Sequence, residues 1–237
     1  MAISTNHLAW LRSVQPRRAI ALLLLLLPLT VGAQTVRDLW LSMPPSFAPY
    51  LSTSLRTQCL DFYDMHTDAQ TDNALKGKSR IDTLTSTFLA ATLSKAHTLQ
   101  MKLLPASGSA SGLGSSLGSV SSSSLSSCDS VLCVVRSWDG PKRDSEVQLF
   151  DRQWKPLQAP LTFSADSFVC HPDTMSEERF SRLVALLDPI MFSVSLSPAE
   201  NVLLVKLSPV VPNPEDEKAI EQILVQRKLK WDGKTFK

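Results

Sequence analysis

Alternating apolar and polar residues predict a series of short strands. The clearest case is 98–104, where Leu99, Met101 and Leu103 lie on one face of the strand. A second predicted strand, 88–93, precedes it across a four-residue turn. Further strands are predicted at 131–138, 146–150, 155–157, 192–196, 202–207 and 229–231. Because most of these strands are joined by short turns, we expect antiparallel β-meanders.

Three segments instead repeat apolar residues every three or four positions, as on one face of a helix. The first begins near Ser46 and continues to Phe62. A capping box at Thr174 predicts the start of the second helix, and Asn213 followed by Pro214 predicts the start of the third. Helices and strands together predict an α+β fold with about three helices packed on one side of the meanders.

Two segments show neither pattern strongly. Residues 36–40 are apolar but short, and we interpret them as an extended segment, whereas the polar residues 64–80 are interpreted as a loop. The hairpin sequences at 92–105 and 195–209 resemble each other, which suggests two related α-β-β halves. The alternative explanation is that two exposed hairpins share Leu, Ser and Pro without a common origin.

The N-terminal segment is typical of an export signal. Basic residues precede an apolar run at 19–32 that ends in small residues, which predicts a signal peptide at 1–33 cleaved after Ala33. A transmembrane anchor is the alternative. It is disfavoured because the run is shorter than the roughly 20 residues that cross a bilayer and because Pro28 interrupts it. We therefore expect a periplasmic or envelope-associated protein with no transmembrane segment after cleavage.

Removing the predicted signal changes the composition of the chain. The complete chain has 24 basic and 22 acidic residues, but three basic and no acidic residues lie in 1–33, so the remainder has a net charge of −1. This balance gives no support for a nucleic-acid partner or an anionic-membrane partner. Residues 106–127 contain four of the eight glycines and many serines, which predicts a flexible insert. We expect 34–237 to form a single α+β domain that carries this insert.

Four cysteines remain after the predicted cleavage: Cys59, Cys128, Cys133 and Cys170. Export permits disulfides, and four cysteines allow three pairings between which the sequence does not choose. Cys133 lies in an apolar strand pattern, so a buried free thiol is the simpler interpretation there. The chain has no CxxC motif, so we expect neither a thioredoxin-type site nor a zinc ribbon.

A cluster of carboxylates and imidazole is formed by Asp61, Asp64, His66 and Asp68. Such a set could bind a divalent cation, but its spacing matches no EF-hand, and we interpret it as a solvated helix end and loop. We therefore predict no metal site and no cofactor. His97 lies in a predicted hairpin turn and is interpreted as a surface residue.

Catalytic residues cannot be assigned from sequence motifs. The chain has no HExxH, P-loop or GxGxxG pattern, so whether it is an enzyme stays open, and a non-enzymatic role is favoured. Cys170 and His171 could in principle form a nucleophile pair, but neighbours in sequence usually point apart. Aromatic residues are not interleaved with basic ones, which argues against a nucleic-acid platform.

Three tryptophans flank predicted turns that contain aspartate, namely Trp138, Trp154 and Trp231. If exposed, they would form a binding surface for a sugar or a peptide. If buried, together with Trp40, they would anchor turns and core, which is the more common role of large aromatic residues.

Several segments together resemble a known family. They are the segments 37–44, 49–51, 55–57, 61–65, 77–84, 187–189, 195–198 and 229–237, which include the ending LKWDGKTFK. This set resembles domain of unknown function 3256, a family of exported proteins from Gram-negative anaerobes. The resemblance covers nearly all of 34–237 and implies an exported α+β unit of roughly 200 residues. It implies no activity and assigns no site residues.

The sequence thus favours an exported, non-enzymatic binding or interaction module whose partner is an unknown envelope protein or glycan. The alternative is a hydrolase of an envelope or dietary polymer with a site assembled from distant residues. A cleft that joins His66 or His171 to carboxylates would favour the enzyme. An exposed aromatic or apolar groove would favour the binding module.

Overall fold

A six-stranded antiparallel sheet forms the centre of the fold. The computed structural model describes residues 34–107 and 130–237. The sheet is a meander in chain order: β1 (Thr71–Asp72), β2 (Lys78–Leu84), β3 (Phe88–Ser94), β4 (His97–Pro105), β5 (Ser130–Asp139) and β6 (Arg143–Phe150). A smaller antiparallel sheet has the order β7 (Phe192–Leu196), β8 (Val202–Leu207), β9 (Arg227–Lys230). The predicted meanders are confirmed, except that the strand predicted at 155–157 is reduced to an isolated bridge between Pro156 and Phe150.

Within the described residues, four α-helices accompany the two sheets, which confirms the α+β class. They are α1 (Val36–Ser42), α2 (Thr53–Asp64), α3 (Glu177–Ala185) and α4 (Pro214–Glu221). No helix in the described part of the chain is long and apolar enough to cross a membrane. The predicted signal peptide, most of the predicted insert and Cys128 lie outside the described residues.

The first two elements differ from the sequence prediction. The segment interpreted as extended is helix α1, because the Thr35 hydroxyl accepts from the Asp38 N–H and the Asp38 carboxylate accepts from the Thr35 N–H. Helix α2 begins at Thr53 rather than near Ser46, with Ser52 as its N-cap. Proline lacks the N–H that a continuous helix across Pro49 would need.

Two further boundaries are corrected. The N-cap of α3 is Ser176, whose hydroxyl accepts from the Arg179 N–H, and not Thr174. The predicted loop at 64–80 contains β1 and the start of β2. The prediction of Asn213 as the N-cap of α4 is confirmed.

The predicted start of the insert, at residue 106, is also too early. Ala106 is buried in the core, and the Ser107 N–H donates to the Gly233 carbonyl at 3.0 Å. These two residues therefore belong to the folded unit, and the rest of the predicted insert lies outside the described residues.

Both faces of the six-stranded sheet are covered, so consecutive residues of β5 from Val131 to Val135 are buried. One face packs against α1 and α2 through Leu89, Met101 and Val134. The opposite face forms a second core with the smaller sheet, α3 and α4. The helices therefore divide into two pairs with separate cores instead of packing on one side.

Candidate functional site

A half-exposed tryptophan lies at one end of the large sheet, where the β3–β4 and β5–β6 hairpins meet. Register places Trp138 in β5 directly opposite His97 in β4. The Asp139 N–H donates to the Ala96 carbonyl at 2.9 Å and ties the two hairpins together. Trp138 is 39% exposed, although it contacts neighbours on the same face.

His97 supports this tryptophan from within the structure. Its ring is stacked on the Trp138 ring, with centroids 5.4 Å apart and an angle of 9° between planes. Nδ1 of His97 lies 2.6 Å from the Tyr50 hydroxyl. The prediction of a surface histidine is wrong, because Tyr50 and Trp138 cover the ring and leave His97 9% exposed.

The environment of His97 favours its neutral form. Burial, and secondarily the charge of Arg136, lowers the pKa of His97. Burial also raises the pKa of Tyr50, so a neutral phenol faces a neutral imidazole. Nε2 of His97 is buried without a hydrogen-bond partner among the described residues. The described fold therefore leaves one polar atom next to Trp138, Nε2 of His97, without a hydrogen bond.

Arg136 forms the second support of the site. Its guanidinium lies 5.5 Å from the Trp138 ring centroid and 5.0 Å from that of Phe47. One of its nitrogens donates to both carboxylate oxygens of Glu146, each at 2.9 Å. The guanidinium is thus held by two aromatic rings and a carboxylate, which restricts its motion and that of Trp138.

An aromatic cluster continues from Phe47 into the core. Phe47 lies 5.3 Å from the Phe150 ring and 5.0 Å from the Trp154 ring. Trp154 is only 6% exposed and has a positive φ of 63°, at the turn after β6. Trp154 therefore anchors the turn, and its ring is not available to a large ligand.

Trp231 lies at the other end of β4. Its indole N–H donates to the Pro105 carbonyl at 2.7 Å, and its ring packs on Phe236. His97 and Pro105 are the two ends of a nine-residue strand, so Trp231 is about 25 Å from the Trp138 site. The three predicted tryptophans do not form one surface, and we name the set of Trp138, His97, Arg136, Tyr50 and Phe47 the Trp138 site.

A cleft between the end of α2 and strand β2 contains part of the predicted carboxylate–imidazole cluster. It has a volume of about 460 Å³ and is lined by His66, Asp68 and Asp82, among others. Both oxygens of Asp82 are engaged, by Arg80 at 2.7 Å and by the Thr92 hydroxyl at 2.8 Å.

The other members of that cluster do not line this cleft, and Asp64 is paired with Arg37. Within residues 34–107 and 130–237, no group of three or more potential ligands is placed to hold a metal ion. The cleft therefore brings His66 close to carboxylates without building a metal centre in the described part of the chain.

The remaining cysteine and histidine candidates are separate from both sites. Cys170 is exposed, and its thiol lies 3.9 Å from the backbone oxygen of His171 rather than reaching the imidazole. The His171 ring packs on Phe180, and its Nε2 lies 3.6 Å from Glu177. The sequence pair is therefore not arranged as a nucleophile and its base.

Three cysteines in the described ranges are free, and two of them, Cys59 and Cys133, are buried. The predicted burial of Cys133 as a free thiol is confirmed. Burial raises the pKa of both buried thiols, so neither is a reactive thiolate at neutral pH.

Comparison with known proteins identifies the family but no activity. The model of the family described as "Protein of unknown function (DUF3256)" matches residues 28–236. A domain of an uncharacterized protein from Porphyromonas gingivalis W83 has a similar solved structure, with 23% identity and a TM-score of 0.62. The match covers 85% of this chain and 98% of that domain, and it supports the fold alone. No curated protein matches the chain.

Proposed function

The chain belongs to the DUF3256 family of proteins of unknown function, and from that premise we propose that it is an exported, non-enzymatic binding module of the cell envelope. In this proposal the Trp138 site binds a glycan. The observation that carries the proposal is a tryptophan held by His97 and Arg136 while 39% of it is exposed.

The chemistry around Trp138 suits a sugar ring. An indole provides an apolar face with a polar N–H at its edge, which matches the mixed apolar and hydroxylated surface of a pyranose. A pair of planar charged groups, Arg136 with Glu146, lies on the same face of the β5–β6 hairpin as Trp138. Guanidinium and carboxylate groups can each make two parallel hydrogen bonds, so they can bind neighbouring hydroxyls.

The site is also preorganised, which reduces the entropic cost of binding. Trp138 is stacked on a buried ring, and the Tyr50 hydroxyl is within hydrogen-bonding distance of that ring. Arg136 is held by Phe47 and Glu146. A side chain that is ordered before the ligand arrives loses little further freedom on binding.

The proposal is tested with glycan fragments released from the envelope of the producing organism. Titration calorimetry would compare the protein as the cell produces it with Trp138→Ala and Trp138→Phe. We expect Trp138→Ala to weaken binding on the order of tenfold or more, and Trp138→Phe to retain part of the affinity. The matched control is Ile190→Ala, which removes another exposed apolar side chain and should bind normally.

Two results would reject a glycan partner at this site. One is equal glycan affinity of Trp138→Ala and the unmodified protein. The other is that no fragment binds, while a single envelope protein is recovered in stoichiometric amount and is lost with Trp138→Ala. The second result would assign the same surface to a protein partner.

A hydrolase remains the second candidate because the α2–β2 cleft brings His66 together with Asp68 and Asp82. In that case His66 would act as the general base and one of the carboxylates as its partner. His66→Ala should then abolish turnover of envelope polymers, and Trp138→Ala should leave the rate at saturating substrate unchanged. Absence of turnover by the unmodified protein across such polymers would reject this candidate.

A further inference from the structure

The smaller sheet has one face in the core and one face directed away from it. Val194, Leu203 and Val205 lie in the core with α3 and α4. Side chains alternate along a strand, so the residues between them point to the opposite side. These outer residues are Ser193 and Ser195 in β7, Leu204 and Lys206 in β8, and Lys228 and Lys230 in β9.

The last residue of the chain extends this outer face. The Lys230 N–H donates to the Lys237 carbonyl at 2.6 Å, and the Lys237 N–H donates to the Lys230 carbonyl at 2.9 Å. Two residues that exchange both backbone hydrogen bonds are directly opposite and share a face. Lys206, Lys228, Lys230 and Lys237 therefore lie on one surface, which we name the lysine face.

Backbone spacing places these lysines close together. Leu204 is paired with Lys228, so Lys206 is the diagonal neighbour of Lys228, about 7–8 Å away. Lys228 and Lys230 are two residues apart on one strand, which is about 7 Å. All four lysines are exposed. The positive charges are therefore spread over a flat sheet surface and do not converge on one point.

Carboxylates neutralise only half of this charge. Glu200 lies 2.5 Å from Lys228, and Asp232 lies 2.6 Å from Lys237. These lysines lower the pKa of both carboxyl groups, so both carboxylates are ionised near neutral pH. Lys206 and Lys230 have no carboxylate within 4.0 Å in the part of the chain that the structure describes. The side chains of the lysine face thus carry a net charge of about +2.

Further acidic residues lie at the starts of two helices. The first turn of α3 contains Glu177 and Glu178, and the first turn of α4 contains Glu215, Asp216 and Glu217. Of these, Glu217 lines the same surface cleft as Lys206, so the positive charge of the lysine face is local and is bordered by carboxylates of α4.

We propose that the lysine face docks on the anionic phosphate headgroups of a lipid membrane. A flat array of lysines suits an extended anionic surface, whereas a single small phosphate would need donors that converge. Each uncompensated lysine near such a surface adds a modest favourable contribution, so a net charge of about +2 gives weak, reversible and salt-sensitive association. Leu204 lies among the lysines and adds apolar contact at the headgroup level.

The experiment is sedimentation of the full protein with vesicles. We expect binding to vesicles of phosphatidylglycerol mixed with phosphatidylcholine, and no binding to phosphatidylcholine alone. Raising the salt from about 0.05 M to about 0.5 M should release the protein, because the charges are exposed. Charge reversal in the double variant Lys206→Glu/Lys230→Glu should reduce the bound fraction on the order of tenfold or more.

The matched control is Lys95→Glu/Lys155→Glu, which changes the net charge equally at two exposed lysines outside the lysine face. The bound fraction of this control should exceed that of the lysine-face variant on the order of tenfold. Circular dichroism melting of each variant shows whether it is folded.

Three results would overturn the proposal. They are failure of the unmodified protein to bind anionic vesicles, equal loss of binding in both double variants, and displacement by millimolar glycerol phosphate, which would indicate a site for a small anion. Trp138→Ala should not alter vesicle binding, so failure of this proposal is distinguishable from failure of the proposed glycan site.

Discussion

The two faces of the six-stranded sheet are closed by different means. Helices α1 and α2 cover one face with almost entirely apolar contacts, from Leu39 and Trp40 to Met101. The smaller sheet covers the other face, and there polar side chains of β4 and β6 reach its backbone. The difference follows from which backbone hydrogen-bonding groups each covering element leaves without a partner.

A covering helix satisfies most of its own backbone hydrogen bonds, so it needs partners mainly at its ends. In the helix-covered core those partners come from Arg56. Its guanidinium donates to the Met43 carbonyl at 2.7 Å and to the Leu41 carbonyl at 3.2 Å, at the end of α1. One arginine therefore satisfies the buried polar groups at the end of α1, whereas the ion pair between the two helices, Arg37 with Asp64, lies at the surface.

A covering sheet has an edge strand with free N–H groups that must be satisfied. Side chains of the larger sheet accept from three alternate N–H groups of β7. Asp144 accepts from Phe192 at 3.3 Å, Ser145 from Val194 at 3.1 Å, and Gln100 from Leu196 at 2.8 Å. The face of the large sheet that the smaller sheet covers therefore carries polar residues, because the edge strand β7 lies across it.

Lys102 completes this sheet-covered interface. It is only 2% exposed, and its ammonium donates to the carbonyls of Ser197, Pro198 and Glu200 at 2.6, 3.0 and 2.8 Å. These bonds hold the β7–β8 hairpin on the large sheet. Residues almost a hundred positions apart are thereby joined, so polar contacts add to the apolar packing of this face.

The largest effect is expected on the helix-covered face. Trp40→Ala removes a fully buried indole whose N–H donates to the Arg56 carbonyl at 3.0 Å. We expect it to lower the free energy of unfolding by about 3–5 kcal/mol, since truncation leaves a cavity. Urea denaturation checks the value. A loss smaller than that of Lys102→Met would mean that apolar packing does not dominate this face.

The next effect is expected for Lys102→Met, which keeps the length of the side chain but leaves three carbonyls without their charged donor. We expect a loss of about 2–3 kcal/mol, less than the sum of three bonds because the exposed hairpin tip regains water. Urea denaturation again measures it, together with hydrogen exchange of β7 and β8. Unchanged stability would show that an apolar side chain covers the hairpin equally well.

A smaller effect is expected for Gln100→Leu, which leaves the Leu196 N–H of the edge strand without an acceptor. We expect a loss of about 1–2 kcal/mol in the free energy of unfolding. Gln148→Leu is the matched control, because Gln148 is paired with Val134 and faces the helix side of the same sheet. Equal losses in the two variants would remove the distinction between the two faces.

The smallest effect is expected for the pH dependence of stability that arises from His97, at the edge of the helix-covered face. Burial lowers the pKa of His97 below its ordinary value of 6.5, so the unfolded chain binds this proton more readily than the folded one. The contribution of a neutral His97 to the free energy of unfolding is therefore fully present above pH 6.5. It is lost as the pH falls through the pKa of His97 in the folded protein. Thermal melting between neutral and mildly acidic pH should show a steeper loss for the unmodified protein than for His97→Gln. Parallel curves would contradict a buried neutral imidazole.

Local patterns explain which elements were predicted correctly from the sequence. Strands β4 and β7 alternate apolar and polar residues, and α4 has both an N-cap and a proline at its start, so short-range signals determine them. Helix α1 was missed because it is only seven residues long and its capping box begins at Thr35, before the apolar segment.

The Trp138 site could be predicted only in part. The sequence identified Trp138 as a candidate, yet it grouped it with Trp154 and Trp231, which the fold uses as anchors. His97 was missed because its burial depends on Tyr50, 47 residues earlier in the chain, and on register with Trp138. No local signal reports such a contact.

The sequence by itself determined the α+β class, the antiparallel hairpins and the resemblance to the DUF3256 family, because alternation and capping act over a few residues. Tertiary structure alone decided which elements cover which face, which tryptophan is exposed, and where lysines of different strands meet. Those features depend on strand register and on contacts between residues that are 40 to 130 positions apart. Their energies come from burial and from satisfying backbone groups, which only the assembled fold defines.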